Sequence, residues 1–253
     1  MDSFSKPIPG IYNYCDAWCA RCLFTNRCRS FQIQQEAGLV KAATNSPDLV
    51  QQLTDALTLT KQYVEKLNQT NRLIGPDTPT EPQTLALEEK ALLPVVDIRR
   101  HPLAKLANVY LKQSGRWLSA EKDLLTNAGQ EQRWRVELGL QTEEDAMPVL
   151  RALKDAWDVI GWYRTLIPVK LLSALRFLTE PATDEHLNDY HLGKAKLVLV
   201  SIDRSLMAWE TLLTHFPDKT DDVLDLLALL CHLRRDIETL FPNARAFRRP
   251  GLD

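Results

Sequence analysis

Glycine is scarce in this chain, with nine in 253 residues. Neither GxGxxG nor GxxxxGK[ST] occurs, which excludes the two Gly-rich loops that cradle nucleotide phosphates. Charge of one sign is also missing. Thirty-one Lys and Arg stand against 33 Asp and Glu, a formal net charge of -2. That balance gives no global pull toward nucleic acid or an anionic surface. Long apolar runs are absent. The longest, Leu226 to Leu233, is interrupted by His232 and falls far short of the roughly 20 residues a membrane span needs. Period-two alternation with β-branched residues is confined to Val95-Val96 and Leu197 to Val200, so little signals a strand. No Glu-x-x-His occurs. The residues three before the five histidines are Ile98, Thr183, Asn188, Leu212 and Leu229, which excludes the paired motif of di-iron carboxylate bundles. There is no GxSxG either, and no nucleophile with its base can be picked out.

What remains is an ordinary globular composition, 45% hydrophobic and 25% charged. The opening MDSFSKPIPGIYNYC has no basic segment followed by an apolar run. No signal peptide is expected, and the expected compartment is the cytoplasm, where structural disulfides are disfavoured.

Helical periodicity dominates the chain after about residue 30. Ser46 and Pro47 start a helix whose apolar row is Leu49, Leu53, Ala56, Thr60, Tyr63 and Leu67. Pro76, Pro79 and Pro82 mark residues 70–84 as a linker or long loop. A second helical stretch starts near Leu85, meets Pro94 and restarts at His101-Pro102, keeping Leu103, Leu106, Tyr110 and Trp117 on one face. Asp145 is expected to cap the next helix, with Pro148 in its first turn and the row Val149, Leu153, Ala156, Ile160, Tyr163 and Ile167. Pro168 is expected to break or kink it. Thr183 opens a helix with the cleanest row: Leu192, Ala195, Leu199, Ile202, Leu206, Trp209 and Leu213. It ends at Phe216-Pro217. Thr220 starts the last helix, with Val223, Leu226, Leu230, Leu233, Ile237 and Leu240, closed by Phe241-Pro242. The fold class read from this is all-α: an antiparallel helical bundle of about five to seven helices with an irregular N-terminal Cys-rich loop. Residues 1–30 form the loop and residues 31–253 the bundle domain. The tryptophans on or beside these rows are expected in the core.

Four of the five cysteines lie in CDAWCARCLFTNRC: Cys15, Cys19, Cys22 and Cys28, spaced C-x3-C-x2-C-x5-C. Disulfides fit the count but not the compartment. Zinc takes four thiolates, but usually from two short knuckles a dozen or more residues apart. A [4Fe–4S] cluster is a larger body that one continuous loop can wrap. Arg21, Arg27 and Arg29 interleave with the thiols. They suit a negatively charged metal–thiolate centre of either kind.

The segment CARCLFTNRC resembles, over about ten residues, the C-x2-C-x5-C part of the iron–sulfur loop in DNA glycosylases of the endonuclease III and MutY type. There the first gap is x6; here it is x3, and no hairpin motif with a catalytic Asp follows. The resemblance implies a cluster rather than glycosylase activity. CDAWCARC has the C-x3-C-x2-C spacing of radical-SAM enzymes, whose barrel needs strands that this chain lacks and whose open iron site a fourth ligand, Cys28, would close. The opening is also similar to uncharacterised bacterial proteins that begin with a YC-D-x-W-C-x-x-C-type motif, a likeness that carries no activity with it.

His186 and His191, five apart, are expected to be solvated or capping. Cys231 reads as a small buried hydrophobe. Lys196, Asp203 and Glu210, with Arg204, flank the clean row as inter-helix ion pairs or as the lining of a groove. The tail NARAFRRPGLD either meets an acidic partner or packs Phe247 back onto the bundle.

The leading expectation is a cytoplasmic metal-binding protein carrying a [4Fe–4S] cluster on Cys15, Cys19, Cys22 and Cys28 for redox, sensing or structural purposes. Trp18 and Phe24 would shield the cluster, and it would meet a protein or redox partner. The alternatives are a zinc-stabilised, non-enzymatic interaction scaffold, or a nucleic-acid-binding protein with a structural cluster. Retention on heparin or DNA at low salt separates the last of these.

Overall fold

A computed structural model describes residues 6–36, 97–179 and 185–253. The expected helix over residues 46–69, the linker over 70–84, the start near Leu85 and the Thr183 cap lie outside the described residues. The chain divides into two compact units. One is Met1–Tyr12 with Ala17–Pro94; the other is Asn13–Asp16 with Val95–Asp253.

The described residues hold seven α-helices and no strand. They are α1 (Ile11–Tyr14), α2 (Arg29–Glu36), α3 (Pro102–Ala120), α4 (Leu124–Glu137), α5 (Glu143–Leu175), α6 (Glu185–His215) and α7 (Thr220–Leu240). The β-like stretch Leu197 to Val200 is helical, within α6.

In the second unit α3, α5, α6 and α7 close a cycle in which each helix packs on two others, and α4 packs on α5. The most extensive pairing is α5 with α6. A short connection joins these two long helices, which makes them antiparallel neighbours. Their facing rows are the ones read from the sequence. Leu153, Ala156, Ile160, Tyr163 and Ile167 of α5 are buried, as are Ala195, Leu199, Ile202, Leu206 and Trp209 of α6, and Val223, Leu226, Leu230, Leu233 and Ile237 of α7. Burying a side chain of this size stabilises the fold by roughly 1.5–3 kcal/mol. The centre is aromatic. Trp209 donates its indole N–H to the buried Tyr110 hydroxyl at 3.1 Å, and Trp117 meets Trp209 edge-on at 4.9 Å. Burial pushes the Tyr110 phenol up to about 12.

Local chemistry sets the helix ends. His101 caps α3 through Nδ1, which accepts from the Leu103 N–H at 3.2 Å, and Pro102 takes the first helical position. The cap of α5 is Thr142, not Asp145. Its Oγ1 accepts from the Asp145 N–H at 3.2 Å, so the helix begins at Glu143 and Pro148 lies beyond the first turn. Pro168 does not end α5. It is buried between Ile167 and Leu171, both fully buried. Burial of those two at roughly 1.5–3 kcal/mol each outweighs a lost hydrogen bond and clash of about 3 kcal/mol. After α4, Gly139 takes φ 69°. The Gly139 N–H bonds the Val136 carbonyl and the Leu140 N–H that of Arg135, each at 2.9 Å, the glycine C-cap that only a residue without Cβ adopts freely.

Two expectations are corrected by burial, and one tryptophan that stands on no row read from the sequence is exposed. Cys231 is exposed rather than core, because α7 turns its Leu230–Leu233 row inward and leaves the residue beside it in solvent. Trp134 of α4 is 61% exposed, since α4 buries only Ala128. His191 is buried, not solvated, with Nδ1 3.2 Å from the Ser173 carbonyl. The side chain of His186 lies outside the described residues.

Candidate functional site: the cysteine loop and its anchor

The loop of the first unit is built from single turns. Cys19–Arg21 and Thr25–Arg27 are 3-10 turns. They are closed by Cys22 N–H to Cys19 O and by Cys28 N–H to Thr25 O, each at 3.2 Å. Each turn therefore ends on a cysteine. Helix α2 follows at once, with the Gln32 N–H bonding the Cys28 carbonyl at 3.1 Å. The Ile8 N–H donates to the Arg27 carbonyl at 3.0 Å, and Arg27 Nε donates to the Lys6 carbonyl at 3.2 Å. The loop is thus tied back to residues 6–8 through backbone acceptors. Ala17, at the joint, holds φ 57°, the left-handed region that L-residues enter at a cost of about 1–2 kcal/mol.

Cys15, Cys19, Cys22 and Cys28 are all half-buried, and none of the five cysteines is in a disulfide. The Phe24 N–H points at the Cys22 sulfur at 3.4 Å. Arg21 stacks its guanidinium 4.1 Å over the Trp18 ring. Cys15 belongs to the second unit and the other three to the first. The donor chemistry suits a thiophilic metal. The geometry is not that of a gathered site. Among the described residues no group of three or more His, Cys, Asp or Glu side chains is placed to hold a metal ion.

The segment Asn13–Asp16 is fixed within the second unit by groups the sequence reading did not connect. Asp16 Oδ2 accepts from the Tyr163 hydroxyl at 2.6 Å and from Arg204 at 3.0 Å. Arg204 also donates to the Tyr163 oxygen. Burial and the adjacent Asp16 carboxylate push the Tyr163 phenol up to about 12, so it stays a donor. Trp162 donates its indole N–H to the Asp16 carbonyl at 3.0 Å. Lys194, only 5% exposed, donates to the Asn13 carbonyl and sits 4.6 Å from the Tyr190 ring centre. Burial, with Lys170 nearby, pushes the Lys194 ammonium down to about 8, and Cys15 acts in the opposite sense. Tyr14 lies over Gly193, where a Cβ would collide with its ring, and packs on Phe247 of the tail at 5.2 Å.

Of the four residues expected in ion pairs along α6, Asp203 and Arg204 form them, with partners the sequence did not specify, and Lys196 meets a backbone carbonyl instead. Asp203 pairs with Arg245 of the tail and with Arg234 of α7. Arg204 pairs with Asp16, and Lys196 donates to the Arg245 carbonyl at 2.6 Å. Phe247 packs inward, as one of the two tail readings expected. Arg245 and Arg249 are taken up internally, the latter by Asp253 at 2.7 Å. One signal could have pointed to the anchor. Gly193 stands inside the cleanest helical row, where glycine costs about 1 kcal/mol relative to alanine, and such a glycine marks a close approach. No helix among the described residues is long and apolar enough to cross a membrane. Compared with protein-family models, curated proteins and solved structures, the chain matches none of them.

Proposed function

We propose that this is a metal-binding helical protein whose centre, a [4Fe–4S] cluster, is held by Cys15, Cys19, Cys22 and Cys28 in the reducing environment of the cytoplasm. The observation that carries the reading is a set of four half-buried thiols, three of them in a stretch that buries no side chain. From Ala17 to Gln35 no side chain is buried, and up to Cys28 the regular structure is two single turns. A segment of that kind needs a cross-link to hold one structure, and a metal bound by thiolates supplies it. The thiols are drawn together by the centre itself, so that loading and local folding are one event.

Two further features support the reading. A backbone N–H directed at a cysteine sulfur, as Phe24 directs its own at Cys22, stabilises thiolate charge and tunes a cluster's potential. Arg21, Arg27 and Arg29 add positive charge beside the thiols. Redox transfer, sensing or a structural role all follow from such a centre, with a protein as the partner.

The test is a metal and acid-labile sulfide assay, with a visible spectrum, on protein purified without oxygen. About four irons and four sulfides per chain are expected. One zinc without sulfide would replace the cluster with a structural zinc site, and no metal at all would end the reading. Cys28→Ser should lose the metal, while Cys231→Ser should keep all of it. Equal loss in the two variants would sink the four-ligand assignment.

A further inference from the structure

The helical body treats residues 13–16 as a receptor treats a peptide. Three subsites, built from residues more than 140 positions away in the chain, take three different chemical groups. Arg204 and the Tyr163 hydroxyl take the Asp16 carboxylate. Trp162 and Lys194 take the backbone carbonyls of Asp16 and Asn13. A shallow seat over the bare Cα of Gly193, walled by Phe247, takes the Tyr14 ring. Lys194 and Arg204, ten residues apart on α6, about 15 Å along the axis, take the two ends of the segment, the Asn13 carbonyl and the Asp16 carboxylate.

We propose that α5, α6 and the C-terminal tail form a recognition site for short peptides of the class aromatic–x–aspartate, filled in this chain by its own Tyr14-Cys15-Asp16. Each subsite selects. The carboxylate meets a guanidinium and a phenol held protonated, so asparagine would lose the charge-assisted bonds that are the strongest available here. The aromatic ring occupies the space that any side chain at position 193 would fill. Trp162 and Lys194 read only backbone, which is common to every peptide. The site holds the residue between the two anchors, Cys15, at one place on the helical body. The inference goes beyond the metal reading and does not rest on it.

A tethered segment sees its site at an effective concentration of about 1 mM, so a site it fills binds the same peptide with a dissociation constant near or below that value. The experiment uses the full chain with Tyr14→Ala and Asp16→Ala together, which empties the site. The probe is a fluorescein-labelled peptide of residues 10–17 carrying Cys15→Ser, followed by anisotropy. Saturable binding to the emptied chain is expected, at least tenfold weaker on the wild-type chain, whose site is filled. Adding Arg204→Leu to the emptied chain, or replacing the peptide's aspartate with asparagine, should weaken binding at least tenfold. Equal binding to wild-type and emptied chains, or no saturation by about 1 mM, overturns the proposal.

Should the emptied chain lose its helical circular dichroism, the single variant Asp16→Asn carries the test. Alkylation of Cys15 relative to the exposed Cys231 of the same molecule should then rise at least fivefold. An unchanged ratio refutes the proposal. The anisotropy readout involves no metal, and the alkylation is run on chain stripped of metal by chelator and reductant, so failure here and failure of the metal assay are separate results.

Discussion

Between Ala17 and Gln35 no side chain is buried, whereas α3, α5, α6 and α7 together bury a continuous set of Leu, Ile, Trp and Tyr side chains. The two regions lie in one chain of ordinary composition, yet different forces hold them. The helical ring is stabilised by apolar area removed from water, spread over dozens of contacts, so each residue contributes a part and the whole is cooperative. The cysteine loop has turn hydrogen bonds, each contributing about 0.5–1.5 kcal/mol when net solvation is counted, and a stack of Arg21 on Trp18. The comparison teaches where to look for function. The described part of the first unit keeps its thiols half-buried and on no buried apolar row.

The comparison can be broken at the ring first. Trp209 is fully buried, donates to Tyr110 and packs on Trp117. Trp209→Ala should cost about 3–5 kcal/mol, read as a lower denaturant midpoint of the helical signal. Cys19→Ser, in the loop, should leave that midpoint where it is. A comparable loss from both would show that the loop contributes to the ring's cooperative unit.

A smaller effect is expected at Gly193. Alanine there gains about 1 kcal/mol of helix propensity and displaces the Tyr14 ring from its seat. We expect a stability change of under about 1 kcal/mol, with faster alkylation of Cys15 against Cys231 in the same protein. A large loss of stability would mean that the ring cannot move aside.

The acid limb of the stability curve sharpens the comparison further. The Arg249 guanidinium beside Asp253 holds that carboxyl down to about 2, below its ordinary value of 3.8. A carboxyl depressed in the folded state stabilises above its unfolded value, and this contribution drains away as pH falls from about 4 through 2. Asp253→Asn should flatten the dependence of the helical midpoint on pH across that window. An unchanged slope would show that the Arg249–Asp253 pair does not form in solution.

The smallest effect is expected in the loop itself. Ala17→Gly removes a left-handed strain of about 1–2 kcal/mol, offset by about 0.5–1 kcal/mol of added chain entropy. The net gain, about 0.5 kcal/mol, should appear as slower amide exchange in residues 17–28 and not in α3–α7.

Much of the fold was legible because its periodicity is long. Rows of five to seven apolar residues at spacings of three and four identify α5, α6 and α7, and the prolines at 102, 217 and 242 mark their ends or neighbours. Helix α4 was not legible, because LLTNAGQEQRWRVE buries only Ala128 and so has no row to read. Asp145 was read as the cap in place of Thr142 because both can accept a backbone N–H and only the φ and ψ of the flanking residues decide between them. Pro168 was read as a break or a kink, and the break does not occur because tertiary burial overrides the local rule.

For the site, the four cysteines and their spacing are sequence facts, and so is the chemistry they offer. The anchor beside them is not. Asp16, Tyr163, Arg204, Lys194 and Phe247 come from four separate stretches of the chain, and no pattern in their spacing relates them. Hydrophobic order along a helix is a local, repeating property, so the sequence by itself determined which faces turn inward and hence the all-helical bundle. Polar contacts between distant segments depend on which helix ends up beside which. Only the tertiary structure decided that a carboxylate at position 16 would meet a guanidinium at position 204.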